Sequence, residues 1–322
     1  MALALTQTPS QTAIAREISY ASSARSRRGQ AFIRTVENAT GRIGLIRRAA
    51  GYEAELERGG DFWRVMMDRY GLRLDVMRGG LDDIPAQGPL VVVANHPYGI
   101  LDGLALGHIL SGVRGDFRLL AHQVFRRSEV LGRVILPVSF DGDRAATALN
   151  LATRAAAIDF LRKGGAVGIF PGGTVSTAPR PFGRPMDPVW RGFTARMIAK
   201  SSATVVPVWF EGQNSNLFQL ASHLNPTLRM ALLVREFKAR VGRPVRLAFG
   251  APIPPAALSH FGADTKQMMD FLRRKTYELS PEALDPARLG YEFEVQHRQA
   301  GQEHGSWRLR FGARRADGSV GS

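Results

Sequence analysis

The chain contains no cysteine. Disulfides, thiolate metal sites and a cysteine nucleophile are thereby excluded, as is a small secreted scaffold stapled by disulfides, and a reducing compartment fits. Acidic side chains are in short supply, 28 against 43 lysines and arginines, for a formal net charge of +15. Such a field draws polyanions: nucleic acid, an anionic membrane surface, or an acidic carrier protein or substrate. Long apolar runs are missing too. The longest, Leu90 to Ala94 and the region Ala203 to Phe210, fall well short of the ~20 residues of a spanning helix. The opening MALALTQTPSQ lacks the basic segment and apolar core of a signal peptide. Any membrane contact is therefore expected to be peripheral. Helix-turn-helix, zinc-finger and aromatic-studded RNA-binding patterns are absent, so nucleic acid is not an expected partner despite the charge. The histidines are scattered, with no H-E-x-x-H, and no metal or cofactor is expected.

What remains is a globular composition, 44% hydrophobic and 22% charged over 322 residues, enough for one large domain or two smaller ones. From about Ile14 to Tyr70 the pattern is helical and basic. Phe32, Ile33, Val36, Ile43 and Ile46 recur near a 3.6 period among Arg25, Arg27, Arg28, Arg34, Arg42, Arg47 and Arg48. Two readings stay open: a helix lying on a membrane, or one packing its apolar face on the main domain with its arginines in solvent. Trp63, Met66 and Met67 are expected in the core rather than lining a groove.

From about Leu72 short apolar runs alternate with helical stretches. Strands are expected at Leu72–Met77, Leu90–Ala94, Phe117–Ala121, Val134–Val138, Ala166–Phe170, Thr204–Phe210 and Val245–Phe249. Helices are expected at Arg144–Lys163, Val189–Ser201, Leu228–Lys238 and Thr265–Leu279. This alternation implies βαβ units: an α/β fold with a mostly parallel central sheet flanked by helices. The expected organisation is a basic helical segment over residues 1–71, an α/β domain over 72–290, and a polar, basic, flexible tail over 291–322.

In such sheets chemistry gathers beyond the carboxyl ends of the strands, and two polar clusters fall there. The first is VVVANHPYGILDGLAL, Val91 to Leu106. His96 either caps a tight turn or acts as a base. Pro97 biases it away from helical dihedrals and Gly99 permits a sharp turn. In a regular helix residues six apart face different ways, so Asp102 can address His96 only through a turn. A carboxylate on one ring nitrogen would fix the tautomer and leave the other free to take a proton from a hydroxyl. The second cluster is IFPGGTVST, Ile169 to Thr177. Its paired glycines and the hydroxyls of Thr174 and Ser176 either cradle an anion or form an ordinary strand-to-helix turn. It lacks the P-loop lysine. No G-x-S-x-G nucleophile elbow appears.

Together these segments resemble the glycerolipid acyltransferase superfamily, which includes 1-acylglycerol-3-phosphate acyltransferase. The histidine-aspartate motif is matched by Asn95-His96-Pro97 through Asp102-Gly103 and the F-P-E-G-T block by Phe170-Pro171-Gly172-Gly173-Thr174; a later valine-proline is matched by Val205-Val206-Pro207-Val208. The likeness runs from about Leu72 to Pro254. With WFEGQNSNLFQLAS at Trp209 to Ser222, it is most similar to a bacterial subgroup labelled hemolysin-like or ornithine-lipid-type. The chain departs from the pattern at three points. Five residues rather than four separate His96 from Asp102, Gly172 replaces the glutamate, and Val175 replaces a common arginine. The two missing side chains are associated in the family with a glycerol-phosphate acceptor.

The resemblance implies an O-acyltransferase of membrane lipid synthesis. His96 would deprotonate the acceptor, oriented by Asp102. Asn95, Phe170, Pro171, Gly172, Gly173, Thr174 and Ser176 would form the substrate side of the site, with Arg144, just after FDGD, in the place of a substrate-contacting arginine. The donor would be an acyl carrier protein or coenzyme A thioester, the acceptor a lysolipid, and the location the inner face of the cytoplasmic membrane, where an anionic surface suits the basic chain. The alternative is a non-catalytic membrane-surface lipid-binding protein of the same fold.

Overall fold

The computed structural model describes residues 19–21, 24, 26–122, 129–139 and 144–293. Four helices come first: α1 (Arg27–Thr40), α2 (Arg42–Ala49), α3 (Tyr52–Glu57) and α4 (Phe62–Arg69). The alternating part follows as β1 (Arg73–Arg78), β2 (Leu90–Ala94), α5 (Ile100–Arg114), β3 (Phe117–His122), α6 (Glu129–Val134), β4 (Ile135–Val138), α7 (Arg144–Arg162), β5 (Ala166–Ile169), α8 (Gly192–Ser201) and β6 (Thr204–Phe210). The chain closes with α9 (Asn216–Leu224), α10 (Pro226–Arg240), β7 (Pro244–Phe249), α11 (Pro255–Ser259) and α12 (Thr265–Tyr277).

The strands form one sheet in the order β1-β7-β6-β2-β5-β3-β4. Every neighbouring pair is parallel except β6 with β7, so the expected mostly parallel α/β fold is what forms. β2 explains why its sequence is an unbroken apolar run. Leu90, Val92 and Ala94 enter one core with α4, α5 and α10, while Val91 and Val93 enter the other with α7, α8 and α12. A strand covered on both faces has no polar side.

The order also fixes where a site can form. From β2 the chain crosses by α5 to β3 on one side; from β5 it crosses by α8 to β6 on the other side of β2. Adjacent strands whose connections leave in opposite directions open a crevice at their carboxyl ends. His96 and Phe170 stand at the two lips.

The first helices are part of the same body. Ile33, Leu45, Tyr52, Trp63, Val65 and Met67 share one core with Leu90, Val92 and Leu101, so this segment packs its buried face on the main domain from α1 onward. Its arginines divide: Arg27, Arg28, Arg47 and Arg48 are exposed, while Arg42 is buried beside Glu37. Trp63, Met66 and Met67 are core residues. Residues 292–322 form a second unit, of which Glu292 and Phe293 are described; the expected flexibility of the tail concerns residues outside the described ones.

Candidate active site

Asn95 ends the strand ladder. β2 pairs with β6 as far as Ala94 opposite Val208, and the Asn95 side chain then takes over. Its Nδ2 donates to the Phe210 carbonyl at 2.8 Å, and its Oδ1 accepts the Phe210 N–H at 2.7 Å. Each end of the amide makes one bond to the Phe210 backbone, so this residue clamps the sheet beneath the site.

The next residues turn sharply. Gly99 has φ +92°, a conformation open mainly to glycine, and α5 starts immediately after it. Asp102 therefore lies inside the first helical turn, not in an extended turn as the spacing suggested. Its Oδ2 reaches back to accept the N–H groups of Tyr98 at 2.7 Å and Gly99 at 2.9 Å, filling donor positions that a helix start leaves open. His96 lies upstream of the helix, in the incoming loop, which is how two residues six apart meet.

His96 Nδ1 is 3.0 Å from that same Oδ2; the Asp102 side chain is wholly buried and the His96 side chain 17% exposed. Nδ1 is close to the carboxylate without a well-aligned hydrogen bond, and Asp102 Oδ1 carries no partner. The contact is of the kind that strengthens when the ring gains a proton, because a cation then faces a desolvated anion. Nε2, on the far side of the ring, is the nitrogen left for a reacting group.

The second loop closes over the ring. Phe170 stacks on His96 with centroids 4.0 Å apart and planes at 20°. The Gly173 N–H is already bonded to the Phe170 carbonyl at 3.0 Å, the Pro171 carbonyl accepts the Arg191 N–H at 2.9 Å, and the Ser176 N–H donates to the His96 carbonyl at 2.7 Å. Gly172 is buried, and a Cβ there would lie 3.3 Å from both Asp187 Cβ and Pro188 Cδ. Two of the loop's N–H groups, those of Gly173 and Ser176, are thus bonded within the protein. Ser176 donates its hydroxyl to Asp187. Thr174 accepts from Arg229 at 3.0 Å and keeps its own O–H to donate. Arg144 is exposed at the start of α7, next to the edge strand β4 and three strand positions from β2.

Two residues that the sequence did not single out organise the site. Asp187 is fully buried and accepts from the backbone N–H of His96 at 3.1 Å and from Trp190 Nε1 at 2.9 Å, besides Ser176. Burial pushes its carboxyl above the usual range, opposed by these hydrogen bonds. Arg229, buried on α10, donates to Thr177 Oγ1 at 2.6 Å, Ser222 Oγ at 2.8 Å, the Val175 carbonyl at 2.8 Å and Thr174. Burial draws its guanidinium down to about 9, which leaves it charged at neutral pH. Neither residue carried a local signal, since Asp187 reaches His96 across 91 positions and Arg229 reaches Thr174 and Thr177 across 55 and 52. Among the described residues no three His, Asp or Glu side chains converge to hold a metal ion.

Comparison with known proteins places this geometry in context. The lyso-glycine lipid O-acyltransferase of Phocaeicola vulgatus is 27% identical over 203 residues, 61% of this chain and 70% of that protein. The enzyme of the same name from Bacteroides thetaiotaomicron is 25% identical over 209 residues, 63% of this chain and 74% of that one. Among solved structures, the 1-acyl-sn-glycerophosphate acyltransferase PlsC of Thermotoga maritima is 19% identical with a TM-score of 0.42, covering 82% of this chain and 87% of its own. The family model described as Acyltransferase matches residues 59–286, a span that takes in both loops of the crevice as well as Asp187 and Arg229. The chain belongs to the acyltransferase family.

Proposed function

We propose that this acyltransferase moves a fatty acyl group from an acyl thioester to the hydroxyl of a lysolipid, with His96 as general base and Asp102 as its orienting carboxylate. The observation that carries the reading is the 3.0 Å approach of His96 Nδ1 to a wholly buried Asp102 at the β2/β5 crevice. An acceptor hydroxyl gives its proton to Nε2 as its oxygen attacks the thioester carbonyl. The carbon–sulfur bond then breaks, and the leaving thiolate takes the proton from the imidazolium. Proton transfer of this kind contributes about 10² to 10⁴ in rate, and the charge on Asp102 stabilises the transient cation. The step needs no enzyme nucleophile, in keeping with a chain that has no cysteine.

Thr174, whose hydroxyl is oriented by Arg229, is the group best placed to bind the acceptor head. The names of the two curated relatives favour an acylated amino acid as acceptor over a glycerol phosphate, as does glycine at position 172. The donor is coenzyme A or acyl carrier protein, the latter suited by its acidity to a chain of net charge +15. The site of action is the inner face of the cytoplasmic membrane. No helix among the described residues is long and apolar enough to cross a membrane, which fits attachment at the surface.

The test is thiol release from long-chain acyl thioesters of both donors, with lyso-glycine lipid, lyso-ornithine lipid and lysophospholipids as acceptors. Acceptor-dependent release by the wild type that disappears in His96→Ala is expected. Release that persists in His96→Ala would remove the proposed base, and no release from folded wild type with any pair would remove the substrate assignment.

A further inference from the structure

The helix α9 is built the wrong way round for a surface helix. Leu217 is 48% exposed, Leu220 38% and Leu224 65%, and at about 100° per residue these three fall within an arc of roughly 60°. The opposite face holds Phe218, Gln219, Ala221 and Ser222, all buried. Its sequence NLFQLASHL contains no acidic or basic side chain apart from His223. Isolated exposed leucines are ordinary, but a continuous leucine stripe on a helix without charges is the mark of a face that meets another apolar phase.

The stripe is bolted to the candidate site. On the inner face Gln219 Oε1 accepts the N–H of Ala178 at 3.0 Å, directly after the second loop. Ser222 accepts from Arg229, which holds Thr174, and Asn214, just before the helix, donates to the Tyr98 carbonyl at 3.4 Å. Whatever the leucines touch is thus held next to the crevice.

Charge says what that is. At the Leu224 end, α10 begins at once, and α1 packs along it; a Cβ at Gly29 would lie 4.0 Å from the Thr227 methyl. Arg27 and Arg28 are exposed in the first turn of α1, which has no acidic residue, and Phe32, 48% exposed, follows Arg28 by one turn. Leucines bordered by exposed arginines with no acidic partner among the described residues match a bilayer with anionic head groups. They mismatch a second copy of this strongly basic chain, because a symmetric contact would bring the arginines toward one another.

We propose that the outer face of α9, together with the first turn of α1, is the surface through which this enzyme docks on an anionic lipid bilayer, setting the Phe170–Ala178 loop against the membrane plane. This rests on the reading of the acceptor as a lipid, and the experiment separates the two. The full chain is sedimented with vesicles of mixed phosphatidylglycerol and phosphatidylcholine, and with phosphatidylcholine alone. The wild type is expected to pellet with the mixed vesicles. The triple variant Leu217→Gln, Leu220→Gln, Leu224→Gln should lose partition by on the order of a hundredfold, and Arg27→Gln with Arg28→Gln by roughly tenfold. Unchanged melting curves exclude misfolding, and on a short-chain acceptor kept monomeric the variants should turn over like the wild type. Wild type that stays in the supernatant, or a triple variant that binds as well as wild type, overturns the proposal. So does a wild-type dimer that the triple variant splits with no change on vesicles. Vesicle binding that follows the leucines and arginines, in a protein with no activity on any lysolipid, sustains the docking surface and sinks only the acceptor.

Discussion

The backbone N–H of His96 donates to a side-chain oxygen of Asp187 at 3.1 Å, across 91 residues of chain. The same carboxylate holds Ser176 of the second loop and Trp190 ahead of α8, so one buried side chain sets the register between both lips of the crevice. It fits because position 172 is glycine: a side chain there would crowd Asp187. The residue that breaks the F-P-E-G-T pattern is the one that makes room for this anchor.

Asp187 makes stability depend on pH with a definite sign. Burial raises its native pKa above the ~3.9 of an unfolded aspartate. Between those two values the native state binds more protons than the unfolded one, so stability is full below about pH 4 and falls as pH climbs through the native pKa. Asp187→Asn removes that slope while keeping an oxygen to accept from His96 and Ser176. Urea unfolding of both proteins, repeated from about pH 4 upward, should give curves that lie closest at the acid end and separate toward neutrality as the wild type loses stability relative to the variant; parallel curves would mean that the carboxyl is not responsible. The kcat of Asp187→Asn should fall by about tenfold with little change in KM, since the anchor places His96 without touching substrate.

Asp102 has two jobs that two substitutions pull apart. Asp102→Asn can still accept the N–H groups of Tyr98 and Gly99, yet loses the charge facing His96. It should fold normally and lose about 10² to 10⁴ in kcat, as His96→Ala does. Asp102→Ala should show a similar kcat and, in addition, a stability loss of about 1–3 kcal/mol from the abandoned donors at the start of α5. Equal stability of the two variants, measured by denaturant unfolding, would leave the helix-start role without support.

Arg229→Lys tests whether the fork of the guanidinium matters. Its two terminal nitrogens reach three hydroxyls and one carbonyl on α9 and on the Thr174–Thr177 stretch. A single ammonium cannot span that set, and buried oxygens left unmatched cost about 1–3 kcal/mol each. The expected outcome is a clearly lowered melting temperature together with a KM for the acceptor raised several-fold, because Thr174 loses the partner that orients it. A lysine variant indistinguishable from wild type in both would reduce Arg229 to filler.

The strands were legible because burial on both faces wrote them as apolar blocks: Leu90–Ala94 and Thr204–Phe210 begin and end where the sequence suggests. His96 and Asp102 were legible because turn chemistry and a resemblance marked them. The helix start between them was not, since Gly99 looked like a turn residue and only its positive φ shows it as the entry to α5. α9 escaped notice because its leucines face outward, away from the buried side that a core-seeking pattern looks for. Asp187 and Arg229 were invisible for another reason: a polar residue acquires such a role from what tertiary structure brings to it, and His96 lies 91 residues from Asp187 as Thr177 lies 52 from Arg229.

Gly107 and Trp63 pack against each other across the boundary expected at residue 71 or 72, and that coupling can be measured. Gly107 lies on α5, one turn and a half beyond Asp102, and a Cβ there would sit 2.2 Å from Cε3 of Trp63 on α4. Trp63 is buried, with its ring 5.7 Å from Phe117 and 5.4 Å from Phe62, so the indole cannot yield without disturbing the core. Gly107→Ala should therefore cost about 1–3 kcal/mol by overpacking, outweighing the gain in helix propensity of about 1 kcal/mol that alanine brings. Trp63→Leu alone should also destabilise, through the cavity it leaves. In the double variant the methyl enters that cavity, so the combined loss should be smaller than the sum of the single losses. Additive losses would mean that α4 and α5 do not meet as described. Coupling between them would show that a helix ahead of the α/β part holds the one that carries Asp102, and activity should then follow stability across all three variants.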